Sequence, residues 1–203
     1  MALGIWVDMD EIIYQVGIPH EFKDEAITLY EEAFGKKISV AIGEDSERRK
    51  VLSNCFILEY AISALKNDQL VGIAGIHTQK GSLTGGIGYK ELISQLGFIK
   101  GNKAALVLSL YEREPKEGEL VMDGISVHPS YRGKGIGGML LDKVKEYALS
   151  EGLNRVRLDV IDINPRAKAL YERKGFKVVK KEKFPYLRSI LGFGGSETMI
   201  FNI

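Results

Sequence analysis

Residues 132–138 read Arg-Gly-Lys-Gly-Ile-Gly-Gly, and they join an apolar strand-like run to an amphipathic helical one. Upstream, Leu120 to Val127 has the composition of a strand. Downstream, Gly135 to Glu151 sets Ile136, Leu140, Val144, Tyr147 and Ala148 on one helical face before Gly152 stops the helix. A strand that passes through closely spaced glycines into a helix permits few folds. Glycine lets successive N–H groups turn toward one point and form a nest for an anion. The start of the helix adds unpaired N–H groups and a partial positive charge. Arg132 and Lys134 bring full charges to the same place. The segment predicts a phosphate- or pyrophosphate-binding loop in a mixed α/β fold, with a plain tight turn as the alternative.

The rest of the chain supplies elements on both sides of this loop. Helical spacing is expected over Asp24 to Phe34, stopped by Gly35, and over Glu47 to Asn54. Phe56 to Leu65 and Leu70 to His77 read as a hairpin joined by Lys66-Asn67-Asp68-Gln69. Gly81 to Gly88 is a Gly/Ser/Thr-rich loop, and two helices are expected at Tyr89–Phe98 and Lys103–Arg113. That 81–114 stretch reads either as a helical pair packed on the core or as a hydrophobic wall over a substrate site. Arg155 to Ile161 alternates as a strand, with Val156, Leu158 and Val160 on one face. Asn164-Pro165 is an N-cap followed by proline at the first helical position, and that helix runs to Lys174 before Gly175. Strands are expected from Phe176 to Val179 and Thr198 to Ile203, with a glycine-rich loop at Leu191 to Gly195. With 203 residues and neither repeat nor linker, one domain is expected.

Two kinds of nucleotide-bearing ligand could use the loop. Gly133-x-Gly135-x-x-Gly138 matches a dinucleotide fingerprint, with Asp159 at about the spacing of a ribose-binding acid. His128-Pro129-Ser130-Tyr131 separates the strand from the glycines, however, and only residues 139–203 remain to complete such a sheet. Asp159 also continues into Val160-Ile161, inside its strand rather than at its end.

A longer pattern covers residues 121–176. Val127-His128-Pro129-x-Tyr131-Arg132-Gly133-Lys134-Gly135-Ile136-Gly137 resembles the acyl-CoA pyrophosphate loop of the GNAT (GCN5-related N-acetyltransferase) family, whose Arg/Gln-x-x-Gly-x-Gly/Ala signature is met by Arg132, Gly135 and Gly137. Asn164-Pro165-x-Ala167-x-x-Leu170-Tyr171-x-x-x-Gly175-Phe176 resembles the second half of the same pattern. The resemblance implies a mixed, mostly antiparallel central sheet of about six or seven strands flanked by helices, here with a helical insertion at 81–114. It also implies an N-acetyltransferase that moves an acetyl group from acetyl-CoA to a primary amine of a small molecule or peptide by direct attack in a ternary complex. An acyl-CoA-binding regulatory module without turnover is the alternative.

Residue roles follow from the same resemblance. The backbone of Gly133, Lys134, Gly135, Ile136, Gly137 and Gly138 would hold the pyrophosphate, with Arg132 and Lys134 assisting. Ile125, Ser126 and Val127 would lend main-chain groups to the pantetheine arm and thioester carbonyl, with Gly124 easing a bulge. Asn164 would contact the pantetheine arm, or serve only as an N-cap. Tyr171, about two turns further along the helix, would be general acid toward the leaving sulfur, or a packed aromatic. An amine with pKa about 10.4 must lose a proton before attack. Asp123 is the first candidate base, ahead of His77 and Glu119. The acceptor would approach between segments 34–49 and 183–197, past Phe34, His77, Tyr186, Arg188, Phe193 and Glu197.

Composition narrows the partners. Lys plus Arg total 28 against 27 Asp plus Glu, so net charge gives no general pull toward nucleic acid or anionic membrane. The lone Cys55, within Cys55-Phe56-Ile57-Leu58, reads as a buried inert thiol and fits a reducing compartment. The three histidines and Cys55 show no metal-ligand spacing. Met1 to Asp10 lacks a signal-peptide pattern, and no run approaches the ~18–20 apolar residues of a membrane span. The expectation is a cytoplasmic protein, without metal, nucleic acid or membrane span, for which a homodimer is compatible.

Overall fold

A computed structural model describes residues 6–7, 12–110, 113–188 and 192–203. Most of residues 1–10, positions 111–112 of the helix expected at Lys103–Arg113 and the start of the loop at Leu191 lie outside those residues. The chain begins with β1 (Trp6–Val7) and β2 (Ile13–Val16), then α1 (Lys23–Ile38) and α2 (Asp45–Cys55). A hairpin follows, β3 (Ala61–Lys66) and β4 (Gln69–Thr78), then the short β5 (Gly81–Ser82) and the long α3 (Tyr89–Ser109). The remaining elements are β6 (Glu119–Val127), α4 (Ile136–Ser150), β7 (Arg155–Ile161), α5 (Pro165–Arg173), β8 (Lys177–Lys183) and β9 (Gly195–Asn202).

The strands form one sheet in the order β1-β2-β3-β4-β6-β7-β9-β8, with β5 added to β4. Only the β6–β7 pair is parallel; the other pairs are antiparallel. The β3–β4 turn places Asn67 and Asp68 at positive φ, 47° and 54°, a twist suited to a tight hairpin. Side chains alternate between two apolar layers. One layer packs α4 and α5 through Ile136, Leu140, Leu141, Val144 and Tyr171 against Leu120, Val156, Leu158 and Val160. The other packs α1, α2 and α3 through Ile27, Tyr30, Leu52, Leu92 and Ala104 against Ala61, Leu70 and Ile73.

The parallel pair is short, and this positions the site. β6 and β7 are paired only at Glu119↔Arg155, Leu120↔Val156 and Val121↔Arg157. Beyond these, β6 follows β4 while β7 follows β9, and the sheet opens into a cleft. At the closed end Glu119, 2% exposed, lies 3.6 Å from Arg155 Nε and 3.3 Å from Arg157 Nε. Along β6, Gly75 faces Gly124 and Ile76 faces Met122, so Asp123 is an extra residue bulged from the ladder. Gly124 sits at φ 123°, where an added Cβ would come within 2.2 Å of the Phe34 ring.

Several sequence expectations shift. Strands β1 and β2 were not foreseen, and the sheet has more strands than the six or seven expected. Residues 56–60 are not strand: the Ile57 N–H donates to Leu83 O and the Tyr60 N–H to Ile57 O, closing a turn whose apolar residues still face the α1–α3 layer. Gly35 does not stop α1, which continues to Ile38. The two helices expected at 89–113 are both present within α3, but they join at Gly97 (φ 77°, ψ 170°) without a loop between them. Among the described residues no helix is long and apolar enough to cross a membrane.

Candidate active site

The cofactor-loop residues lie where β6 meets α4. A 3-10 turn at Pro129–Tyr131 carries the chain from the strand, and the His128 side chain accepts from the Ser130 N–H. Gly133 and Gly135 sit at φ 80° and 85°, with open space where a Cβ would stand. Among the described residues, no backbone carbonyl accepts from the N–H groups of residues 133–137. These N–H groups at the start of α4 are therefore left without a backbone partner, as an anion nest requires. The Gly138 N–H, by contrast, donates to Gly135 O, and a Cβ there would come within 2.9 Å of the Lys174 side chain just beyond α5. Gly138 therefore sits at a helix–helix contact and outside the nest. Arg132 Nε donates to Val127 O at 2.9 Å, and its guanidinium reaches Glu32 of α1 at 3.4 Å. Lys134 stacks its ammonium over the Tyr131 ring at 4.8 Å.

Asn164 and Tyr171 lie on the α4–α5 side of the cleft. Asn164 Oδ1 accepts from the Ala167 N–H at 3.1 Å, so its side chain caps α5. Tyr171 is buried in the α4–α5 core beside Phe176, with ring centroids 6.1 Å apart. That burial pushes its phenol up to about 12. On β6, Ile125 and Val127 pack toward this same core, while Ser126 is buried with no hydrogen-bond partner for its Oγ among the described residues.

A cavity of about 980 Å³ lies on the other side of the sheet, at the opening of the cleft. Asp123, Phe34, His77 and Phe193 all line it, so the bulge residue and three of the expected acceptor-side residues come together. Asp123 accepts from the Thr84 N–H at 3.2 Å and the Thr84 hydroxyl at 2.7 Å. Tyr30, also lining the cavity, is raised well above the usual phenol range by burial and then by the charge of Asp123. His77 Nε2 stands 3.9 Å from Glu114.

The other expected acceptor residues stand apart from this cavity. Ser196 lines it, and strand alternation therefore turns its neighbour Glu197 to the opposite face. There Glu197 meets Lys168 of α5 at 2.7 Å and Lys181 at 3.1 Å. Tyr186 is exposed on the β8–β9 connection, and Arg188 packs its stem beside Gly194. Glu119, the weaker base candidate, is held in its ion pairs at the closed end of the cleft. Sequence reasoning missed Thr84, Glu114, Asp159 and Glu182 as cavity residues. The alternation of Arg155, Arg157 and Asp159 opposite Val156, Leu158 and Val160 was a signal for Asp159; loop and register positions left none for the others. Among the described residues no group of three or more His, Cys, Asp or Glu is arranged to hold a metal.

Known proteins are similar to this chain in both sequence and fold. A profile described as "Acetyltransferase (GNAT) family" matches residues 24–176. The thialysine N-epsilon-acetyltransferase of Bos taurus is 45% identical over 56 residues, 28% of this chain and 33% of that protein. The mycothiol acetyltransferase of Beutenbergia cavernae is 35% identical over 75 residues, 37% of this chain and 25% of that protein. The matches thus span a third or less of those relatives' length. In fold, the chain resembles a GCN5-related N-acetyltransferase from Kribbella flavida, with TM-score 0.62 and 15% identity over 97% of this chain and 100% of that one. It also resembles the ribosomal-protein-S18-alanine N-acetyltransferase from Escherichia coli, with TM-score 0.59 and 15% identity over 95% and 94% of the two chains. With a family profile spanning the elements from α1 to the end of α5, on the sheet those structures share, the chain belongs to the GNAT acetyltransferase family.

Proposed function

We propose that this protein transfers an acetyl group from acetyl-CoA to a primary amine. The observation that carries the reading is the glycine loop at residues 133–137, whose N–H groups donate to no carbonyl of the described backbone and sit between a strand and a helix start. Its glycines at positive φ leave the approach open, which fits a pyrophosphate. Arg132 and Lys134 border the nest, and main-chain groups of residues 125–127 face the cleft where the pantetheine arm would lie. Bound acetyl-CoA supplies the thioester carbonyl.

The chain's own residues divide the remaining work. Asp123, held by Thr84 on the sheet side of the cavity, attracts the acceptor ammonium and takes its proton directly or through water. Tyr171 keeps its phenolic proton at neutral pH, as a group held up to about 12 must, and gives it toward the departing sulfur. The amine nitrogen forms the amide bond as the carbon–sulfur bond breaks. Nitrogen loses two protons, one to Asp123 before attack and one as the amide forms, and the second restores the Tyr171 phenol after it has protonated sulfur; the products are an N-acetyl amine, CoA thiol and one proton released to solvent. The cavity and the nest lie on opposite sides of the sheet, so both substrates can be held at once. Asp123 and Tyr171 on the two sides of the cleft favour turnover over a purely regulatory binder.

Calorimetric titration with acetyl-CoA, CoA and NADH tests the reading. Micromolar binding of acetyl-CoA without NADH binding is the expected result. Gly135→Val should weaken acetyl-CoA at least tenfold, about 1.4 kcal/mol, because the φ of 85° disfavours a branched side chain and that chain would fill the approach. Unchanged affinity in the variant would remove the loop from the cofactor site.

A further inference from the structure

The cavity beside Asp123 is more than a passage for an amine. Its wall away from the sheet is made by Ile38, Ile42 and Leu52 from the α1–α2 region and by Leu92 and Leu108 of α3. Its sheet-side rim carries Asp123, Glu114, Asp159 and Glu182, against Arg113 and Lys80 among the described lining residues. Lys80 is itself paired with Glu151 at 2.5 Å, and Arg113 lies 3.4 Å from Asp159. Glu182 is held by Lys180 at 2.9 Å, yet the rim stays net acidic and attracts cations, whereas the far wall offers a second charge only the hydroxyl groups of Tyr30, Tyr89 and Ser109 and no carboxylate. Asp123 marks the boundary, because it acts on the buried Tyr30 of the apolar side while lying at the cleft.

We infer that the acceptor is an amphiphilic primary amine: an ammonium held at the acidic rim, on an alkyl or aryl body seated against α1, α2 and α3. This rests on the acetyl-transfer reading above. A diamine of similar length would have to strip the water from its second charge against Leu92 and Leu108, at a cost the wall cannot offset. A long acyl chain on CoA would fit the apolar wall but would have no use for four carboxylates beside it. The volume of about 980 Å³ holds an aromatic ring or a medium-length chain with space to spare.

The test is a series of primary amines assayed by thiol release with acetyl-CoA: propylamine, pentylamine, heptylamine and phenethylamine against ethanolamine, putrescine and lysine. The expected kcat/KM rises about fourfold per added methylene while the wall is being covered. Phenethylamine should exceed ethanolamine at least tenfold. Ala105→Phe, which fills the cavity from α3, should bring the heptylamine-to-propylamine ratio down to about one; Leu108→Gln serves if the larger residue prevents folding. Calorimetric binding of heptylamine to the protein with CoA present gives a readout that needs no turnover, and it should be tighter than putrescine by at least tenfold. Equal or better use of putrescine and lysine, or a flat chain-length series, overturns the inference while leaving acetyl transfer intact. A preference for octanoyl-CoA over acetyl-CoA that Ala105→Phe abolishes overturns it too, by giving the wall to the acyl chain. Failure of acetyl-CoA to bind would sink the acetyl-transfer reading instead, and tight heptylamine binding would still decide for the apolar wall.

Discussion

The Tyr171 ring packs with Phe176 in the α4–α5 core, and the burial that serves packing also holds its phenol proton up to about 12. An unfolded tyrosine loses that proton near 10. Between these two values the folded chain keeps a proton that the unfolded chain has released, so stability falls as pH rises through the window. For a two-unit gap the loss is about 2–3 kcal/mol. Thermal melting followed from pH 9 to 12 should show a decline that Tyr171→Phe lessens. The same variant should keep acetyl-CoA affinity within about twofold while kcat falls on the order of 100-fold; unchanged turnover would leave Tyr171 as packing alone. Side-chain positions of this kind were partly legible beforehand. Asn164-Pro165 announced a cap and the helix period put Tyr171 on its face, but the contact of Asp123 with Thr84 joins residues 39 apart in sequence. No local pattern predicts which loop residue will close over a bulge.

At the scale of elements, α3 shows where periodicity stops being informative. Its apolar residues suggest two short helices, and two are present, but they meet directly at Gly97 rather than across a loop at residues 99–102, and no periodic signal marks that join. A φ of 77° with ψ 170° is a region that only glycine occupies freely, and space around it is open, so the constraint comes from the backbone and not from crowding. Gly97→Ala should therefore cost about 2 kcal/mol and lower the melting temperature by about 4–8 °C, measured by calorimetry; no change would mean the kink is incidental. The loop–helix 133–151 and the α5 helix were readable because glycine, proline and cap residues set their ends locally. β1 and β2 were not readable because they are short, and β2 depends on a partner in β3 that comes near only after folding, while β1 pairs in turn with β2. Gly35 was misread for a related reason: a helix packed on the sheet through Ala26, Ile27, Leu29 and Tyr30 continues past a glycine that would stop an isolated one.

Across the whole molecule, the two parts of the sheet meet through a three-residue parallel pairing, with Glu119 between Arg155 and Arg157 at its base. Glu119→Gln leaves two guanidinium groups facing each other with no carboxylate between them. Breaking such a buried pair costs about 3–5 kcal/mol, and urea denaturation should show the midpoint falling with its slope unchanged. A loss under about 1 kcal/mol would mean that the pairs act as surface charges. The overall architecture was legible from the order of elements and the glycine loop. The cleft was legible only through the family resemblance, which frees main-chain groups of residues 125–127 for the pantetheine arm; nothing in Leu120 to Val127 or Arg155 to Ile161 itself announces that their pairing ends after Val121 and Arg157. Strand borders normally lie at the perimeter of a sheet, where bare N–H and C=O groups invite another chain to add itself. Here the divergence of β6 and β7 brings two such borders inside the molecule, facing each other across a gap. A linear molecule carrying its own amides can be threaded there as one more strand, bridging halves that are otherwise joined at one end. Its arrival should slow amide hydrogen exchange on both sides of the opening, as the last tooth of a zip fixes the cloth on either side.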